Sequence, residues 1–190
     1  MKNLILFIAL TLISTVSYAQ GAATRSTVKA NESVVNWTGK KVTGEHSGTI
    51  QIKSGLLGFD KDGMLTQGEV TMDMSTIVCT DLEGESKGKL EGHLSSEDFF
   101  GTEKFPSAKL VFTEVKKGEG EMLMINGEIT IKDITESISF EVEMKDGMAI
   151  ADIVIDRTKF GVKYGSGSFF EDLGDKTIYD DFDLKVQMAY

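Results

Sequence analysis

From Val34 to the end of the chain, apolar and polar residues alternate along short segments that glycine-rich turns separate. In one of them Gly68, Val70, Met72 and Met74 share a face, with polar residues between them. A period of two is typical of a half-buried β-strand. The chain has 20 glycines and one proline, and no long segment has the period of a helix. About eight such segments predict an all-β fold: an eight-stranded antiparallel up-and-down β-barrel, or failing that a β-sandwich.

The alternation lapses between Asp81 and Phe100, and here we expect the appreciable helical structure. Ser95 and Ser96 open the run that ends at Phe100. Serine in this position is typical of a helix N-cap, because its side chain accepts a hydrogen bond from a free backbone amide. The sequence therefore predicts a short helical segment that begins at Ser95.

The number of strands does not decide what fills the barrel, since eight strands enclose either packed side chains or one small ligand. Gly48, Gly68 and Gly127 remove side-chain volume from apolar faces, which favours a hollow interior. The same glycines are also typical of bulges or bends in coiled strands. The pairs Phe99–Phe100 and Phe169–Phe170 stand in irregular segments, as a lid over the barrel mouth or as docked loops. The sequence leaves both alternatives open.

The first 19 residues have the pattern of a secretory signal peptide. Lys2 gives a charged start, an apolar run follows, and Ala19 ends a small-residue cleavage site. An uncleaved anchor is the less favoured alternative, because the run falls short of the roughly 20 apolar residues that span a bilayer. We expect a periplasmic or secreted protein without stable membrane insertion. Its divisions are residues 1–19, a signal peptide; 20–33, a flexible N-terminal tail; and 34–190, the barrel domain.

The mature chain is acidic. Removing Lys2 with the signal peptide leaves 19 of the 20 basic residues against 30 acidic ones, a net charge of −11. Such a surface repels nucleic acid and anionic lipid headgroups. We therefore expect no nucleic-acid partner.

Several short motifs follow one another along nearly the whole mature chain. They are Trp37–Lys40, Gly44–Gly48, Met72–Ile77, His93–Leu94 running to Asp98–Phe100, Phe105–Ala108 and Ile155–Val162. By their number and order the chain resembles the YceI-like family from about Val34 to Tyr190. The resemblance implies a secreted, lipocalin-like barrel whose long apolar cavity binds polyisoprenoids or similar amphiphiles. Asp133 and Ser137 stand where the family usually carries glycine and proline, which bears on the turn there and on ligand choice if that turn borders the opening.

The strand faces assigned to the interior supply the candidate ligand-binding residues. The apolar candidates are Trp37, Ile50, Val70, Met72, Met74, Leu110, Phe112, Ile129, Ile131, Ile138, Phe140, Ile153, Ile155, Phe160, Phe182 and Leu184. His46 is the candidate polar group, inside or at the lip of the cavity, that holds a ligand headgroup. Arg157 has a fork-shaped guanidinium that either clamps the turn after it or anchors an acidic headgroup.

The sequence concentrates neither catalytic nor metal-binding residues. The serines of Gly165–Ser168 have no strand-to-helix nucleophile elbow around them. His46 and His93 lie 47 residues apart and, with Cys79, are too few to predict a zinc or copper site. We expect no enzymatic activity, no metal and no cofactor.

The leading hypothesis is an exported binding protein that sequesters or carries a lipid-like small molecule: a polyisoprenoid, a fatty acid or a similar apolar amphiphile. The alternative is a filled barrel that acts as a structural, stress-response or adhesion module of the cell envelope without a ligand. The sequence leaves open whether the chain forms a homodimer.

Overall fold

A computed structural model describes residues 24–190. The expected signal peptide, residues 1–19, lies outside the described residues. The structure confirms an all-β, eight-stranded antiparallel barrel with a short helix. Its elements are β1 Thr24–Thr27, β2 Val34–Lys41, β3 Gly44–Phe59, β4 Leu65–Cys79, α1 Gly84–Ser95, β5 Ser107–Lys117, β6 Met122–Ile131, β7 Ile134–Lys145, β8 Met148–Asp156 and β9 Ile178–Ala189.

The barrel has up-and-down topology. Each strand from β2 to β9 pairs antiparallel with the next one in the chain, and β9 pairs with β2 to close the sheet. The connections divide into two sets. At one end, the helical end, lie α1 and the long segments 80–106 and 157–177; at the other, the turn end, lie the short turns 60–64, 118–121 and 146–147.

Within the segment 20–33, which the sequence predicts to be a flexible tail, the described residues include a β-strand and a 3-10 turn. β1 pairs with the last residues of β3, with Thr27 opposite Leu56. A 3-10 turn, Ala30–Glu32, then leads into β2, which pairs with the first half of β3. At 16 residues β3 is long enough to take both segments as partners along one edge, so ladder hydrogen bonds order a polar segment that lacks a hydrophobic pattern.

The helix lies between Asp81 and Phe100, where the sequence predicts helical structure, but the predicted start at Ser95 is wrong. The helix α1 ends at Ser95, where the sequence predicts a start, and the Ser96 hydroxyl donates a hydrogen bond to the His93 carbonyl at 2.7 Å. Leu94 is the one buried residue of α1, and Gly88 and Gly92 interrupt it, so the helix shows no apolar period in the sequence. Ion pairs four residues apart run along its exposed face instead.

Tight turns join several strands at residues that adopt a left-handed backbone conformation. Asp146 and Gly147 both have positive φ, 51° and 76°, in the two-residue connection that the sequence predicts there. Lys132 and Asp133 form a second connection of this kind, with φ of 52° and 59°. Aspartate tolerates this left-handed conformation better than most residues, so the departure at Asp133 still yields a tight turn between β6 and β7.

In the structure the glycines on the inner strand faces have a role other than leaving the barrel hollow. A β-carbon at Gly48 would lie 2.5 Å from the indole of Trp37, the residue opposite it on β2. Gly68 and Gly127 are likewise crowded, by Phe112 and by the Val111 carbonyl. These glycines therefore make room for aromatic rings and close backbone rather than for a ligand.

Candidate functional site

The barrel encloses an apolar cavity of about 180 Å³. Since one water-sized sphere needs roughly 10–15 Å³, the cavity has room for on the order of a dozen such groups. Inward-facing side chains from every strand between β2 and β9 line it. The alternation seen in the sequence is the cause, because a period of two turns every second side chain to the inside. The interior of the barrel thus contains an apolar cavity.

The structure brings 16 of the 18 candidate residues to the cavity wall. They are Trp37, Ile50, Val70, Met72, Met74, Leu110, Phe112, Ile129, Ile131, Ile138, Phe140, Ile153, Ile155, Arg157, Phe182 and Leu184. His46 and Phe160 do not line the cavity. Phe160 is buried in the 3-10 turn Arg157–Phe160, which follows β8.

His46 lies at the helical end and takes part in a polar cluster outside the cavity. Its Nδ1 lies 2.9 Å from Asp81 Oδ2, while the Ser47 amide and the Cys79 thiol donate to Asp81 Oδ1 at 3.0 and 3.1 Å. Burial raises the pKa of the Asp81 carboxyl, but these hydrogen bonds outweigh burial and hold that pKa well below its usual range. The cluster ties the start of β3 to the segment before α1, so His46 has a structural partner in place of a ligand headgroup.

Of the two roles that the sequence leaves open for Arg157, its hydrogen bonds favour the clamp. The side chain is 2% exposed, and its nitrogens donate to the carbonyls of Val162, Ile178 and Tyr179 at 2.8, 3.0 and 3.0 Å. Asp180 lies 3.6 Å from the same guanidinium. Arg157 therefore joins the turn after β8 to the start of β9, with its donors already engaged where it borders the cavity.

The helical end of the cavity is covered by Leu94, Phe99 and Phe100. Lys132 Nζ donates to the Glu97 and Phe99 carbonyls at 3.1 and 2.6 Å, which fastens this cover to the β6–β7 turn. The Arg157 guanidinium lies 5.6 Å from the centre of the Phe99 ring. The pair Phe99–Phe100 is thus a cover over the cavity.

The pair Phe169–Phe170 has a different position. Both rings are about half exposed, and neither lines the cavity. At the turn end the rings of Phe59 and Tyr190 stack with centroids 5.4 Å apart. Bulky apolar groups therefore stand at both ends of the barrel.

Polar side chains reach the cavity at the helical end, where the ladder between β2 and β9 is irregular. The register shifts between Gly39 and Lys41, and Lys40, Tyr179 and Asp181 border the cavity there. Lys40 forms an ion pair with Asp183 on the neighbouring strand. We call this opening, bordered by Gly39, Lys40, Tyr179 and Asp181, the mouth.

Two kinds of lining residue are missing from the sequence-based set. Val35, Met144, Ala151 and Val186 continue the alternation of strands already recognised, so the same period identifies them. Leu94 comes from α1, whose weak apolar period gives no such signal.

Within residues 24–190 no group of three or more histidine, cysteine, aspartate or glutamate side chains is placed to hold a metal ion. Nor does any helix there have the length and apolar character needed to cross a membrane.

Comparison with known sequences relates the chain to one family. A family model described as the YceI-like domain matches residues 27–190. A UPF0312 protein of Photorhabdus laumondii is 44% identical over 52 residues, which cover 27% of this chain and 27% of the relative. Protein YceI of Escherichia coli O157:H7 is 30% identical over 98 residues, 51% of this chain and 48% of the relative. The chain thus spans about a quarter and about half of the length of these curated relatives.

Solved structures share the fold. The crystal structure of BcnA from Burkholderia cenocepacia superposes with a TM-score of 0.63 at 20% identity, covering 86% of this chain and 99% of that one. A polyisoprenoid binding domain from Saccharophagus degradans, implicated in plant cell wall breakdown, gives 0.57 at 12% identity, covering 85% and 95%. At such identities the similarity concerns the barrel itself.

Proposed function

Because this chain belongs to the YceI-like family, we propose that it is a binding protein that sequesters or carries an apolar amphiphile, a polyisoprenoid, fatty acid or similar lipid, in its barrel. The observation that carries the proposal is the apolar cavity inside the barrel, with bulky groups at both ends and a polar mouth at the helical end. The structural neighbour named a polyisoprenoid binding domain has the same fold, which supports this class of ligand.

The driving force is burial of the ligand's hydrocarbon tail. Removing apolar surface from water contributes about 25 cal/mol per Å², so roughly 200 Å² of buried tail contributes about 5 kcal/mol. The flexible thioethers of Met72 and Met74 in the cavity wall adapt to tails of different shape. No catalytic step or cofactor enters this function.

The mouth favours a neutral headgroup. The cation of Lys40 is neutralised by Asp183, Asp181 adds a negative charge, and the donors of Arg157 are held by backbone carbonyls. A phosphate or carboxylate would therefore meet no free, buried cation at this opening. A hydroxyl or a carbonyl headgroup would find hydrogen-bond partners there.

Export is part of the proposal and rests on the sequence. Cleavage after Ala19 would release a mature chain that begins at Gln20 in the periplasm or outside the cell. Sequencing the N-terminus of the exported protein tests this directly. A start within the apolar run, or an intact Met1, contradicts it.

The binding proposal is tested by native mass spectrometry of the protein purified from its own source. We expect a lipid mass bound to the chain that organic extraction removes. The Met72→Trp variant is the matched control, since its added indole occupies the cavity and we expect it to emerge without lipid. A wild-type chain that carries no lipid and retains no added long-chain isoprenoid contradicts the proposal and returns the envelope-module alternative.

A further inference from the structure

The hydrogen-bonded ladder of the barrel is short between β7 and β8. Their ladder has three pairs, Glu143 with Ile150, Met144 with Ala149 and Lys145 with Met148. The strands themselves are much longer, 12 and 9 residues. Beyond the three pairs, residues 134–142 of β7 pair with β6 and residues 151–156 of β8 pair with β9, and no ladder joins them to each other. We call the space between these two segments the β7–β8 slot.

Side chains do not bridge the slot either. Among the described residues, no hydrogen bond or ion pair joins residues 134–142 to residues 151–156. The Ser139 hydroxyl on the outer face of β7 donates away from the slot, to Asn126 Oδ1 on β6 at 2.7 Å. The slot is bounded by the Glu143–Ile150 pair at one end and by Gly161, packed near Ile134, at the other.

The cavity extends to both sides of the slot. Ile138 and Phe140 line it on β7, and Ala151 and Ile153 line it on β8. The small Ala151 leaves the β8 side low in bulk. Apolar residues also stand outside on β8, where Val154 is 60% exposed. Apolar side chains therefore stand on both the cavity side and the outer face of the slot.

Other routes into the cavity are either polar or held by contacts. The mouth is bordered by the charged side chains of Lys40 and Asp181, which disfavour passage of a hydrocarbon tail. At the helical end the cover is fastened by the hydrogen bonds of Lys132 to Glu97 and Phe99, and at the turn end Phe59 and Tyr190 stack. The ladders β5–β6, β6–β7 and β8–β9 run for most of their strands. Parting β7 and β8 at the slot breaks no hydrogen bond of the sheet.

We propose that the hydrocarbon tail of the ligand enters and leaves the cavity sideways, through the β7–β8 slot, while the polar end remains at the helical end. This inference rests on the proposed function. Under this proposal residues 134–142 and 151–156 form a lateral opening. The opening limits the rate at which the lipid enters the cavity, not the affinity of the protein for the bound lipid.

The test closes the slot with a reversible covalent link. Glu141 and Asp152 become partners if the register of the β7–β8 ladder continues, so Glu141→Cys/Asp152→Cys places a disulfide across the slot. The matched control is Glu143→Cys/Ile150→Cys, which links two residues that already pair. Cys79 is fully buried and stays unchanged. Each protein is measured oxidised and reduced, with the disulfide verified by mass.

The measurement is the rate at which dansyl-labelled farnesol passes from phosphatidylcholine vesicles into the protein, followed by dansyl fluorescence. We expect the oxidised slot variant to load at least tenfold more slowly than its reduced form, with equilibrium affinity within twofold. The control pair should load equally fast in both forms. Ile138→Ala, which removes bulk from one side of the slot, should load several-fold faster than the wild type.

The possible failures are distinguishable. If the wild type takes up no farnesol probe, the proposed function fails and the lateral opening with it. If the wild type loads the probe, and the oxidised slot variant and Ile138→Ala load at the wild-type rate, the binding function stands and the lateral opening is wrong.

Discussion

The aromatic ring of Phe112 lies over Gly68, so close that a β-carbon at Gly68 would overlap the ring. The two residues sit on neighbouring strands, β5 and β4, and Gly127 stands opposite Phe112 on β6. The bulky ring thus covers a position without a side chain on the neighbouring strand. Aromatic rings that cover glycines in this way also hold the register of adjacent strands.

Gly68→Ala is therefore expected to destabilise the fold by about 1–3 kcal/mol, because overpacking forces the ring or the backbone to move. The double variant Gly68→Ala/Phe112→Leu should lose less stability than the sum of the two single variants, since the smaller side chain relieves the overlap. Urea unfolding of the four proteins in this cycle measures the coupling. Additive losses would contradict the close packing.

Met72→Trp and Ile129→Phe should block uptake of a long-chain isoprenoid while the barrel stays folded. Both side chains line the cavity, and the added volume fills empty space where a tail would lie. The melting temperature should stay the same or rise, whereas overpacking a filled core would cost about 1–3 kcal/mol. Fluorescent-lipid displacement and thermal melts decide between these results. Glu128→Phe, on the outer face beside Ile129, is the control and should bind lipid as the wild type does.

Arg157→Lys should destabilise the protein by about 3 kcal/mol or more. The lysine retains the charge but loses the fork that serves three backbone carbonyls, and each buried polar group left unpaired costs about 1–3 kcal/mol. Arg25→Lys, at an exposed position on β1, should change stability by no more than about 0.5 kcal/mol. Comparable losses for both variants in urea unfolding would exclude the clamp.

The lowered pKa of the Asp81 carboxyl predicts that the folded protein loses stability at acid pH. Burial alone would raise its pKa, but the hydrogen bonds from Ser47, Cys79 and His46 lower it below its ordinary value. A carboxyl with a lowered folded-state pKa stabilises the protein above its unfolded-state pKa of about 3.9. That contribution disappears as pH falls below this value toward the folded-state pKa.

Asp81→Asn removes this contribution. The difference in unfolding free energy between wild type and variant should thus be largest near about pH 5.5 and should shrink toward about pH 2.5. Urea unfolding at both values measures it. A difference that does not depend on pH would show that the carboxylate is not preferentially stabilised in the folded state.

Cys79 should be inert in the folded protein. Its side chain is fully buried, and burial together with the Asp81 hydrogen bond raises the pKa of the thiol, which suppresses the reactive thiolate. An aromatic disulfide reagent should therefore label it only after unfolding in urea. Rapid labelling of the native protein at neutral pH would contradict this position for Cys79.

The architecture follows from local features of the sequence. Alternation with a period of two predicts which side chains face inward whatever the neighbouring strand, so Met72, Ile129 and Phe140 are identified as cavity residues without a structure. The Asp146–Gly147 connection is equally local, because left-handed backbone at a two-residue turn selects those residue types.

Other features depend on which strands become neighbours, and only the tertiary structure decides them. The alternation assigns His46 to the inner face, but its position at the end of β3 brings it to Asp81, 35 residues away in sequence. Gly68 lacks a side chain because of Phe112, a residue on another strand. The β7–β8 slot arises because the ladder between two strands ends after three pairs, although each strand continues its own alternation. Inward and outward faces are properties of one strand, whereas empty space, openings and polar partners are properties of the distances between strands.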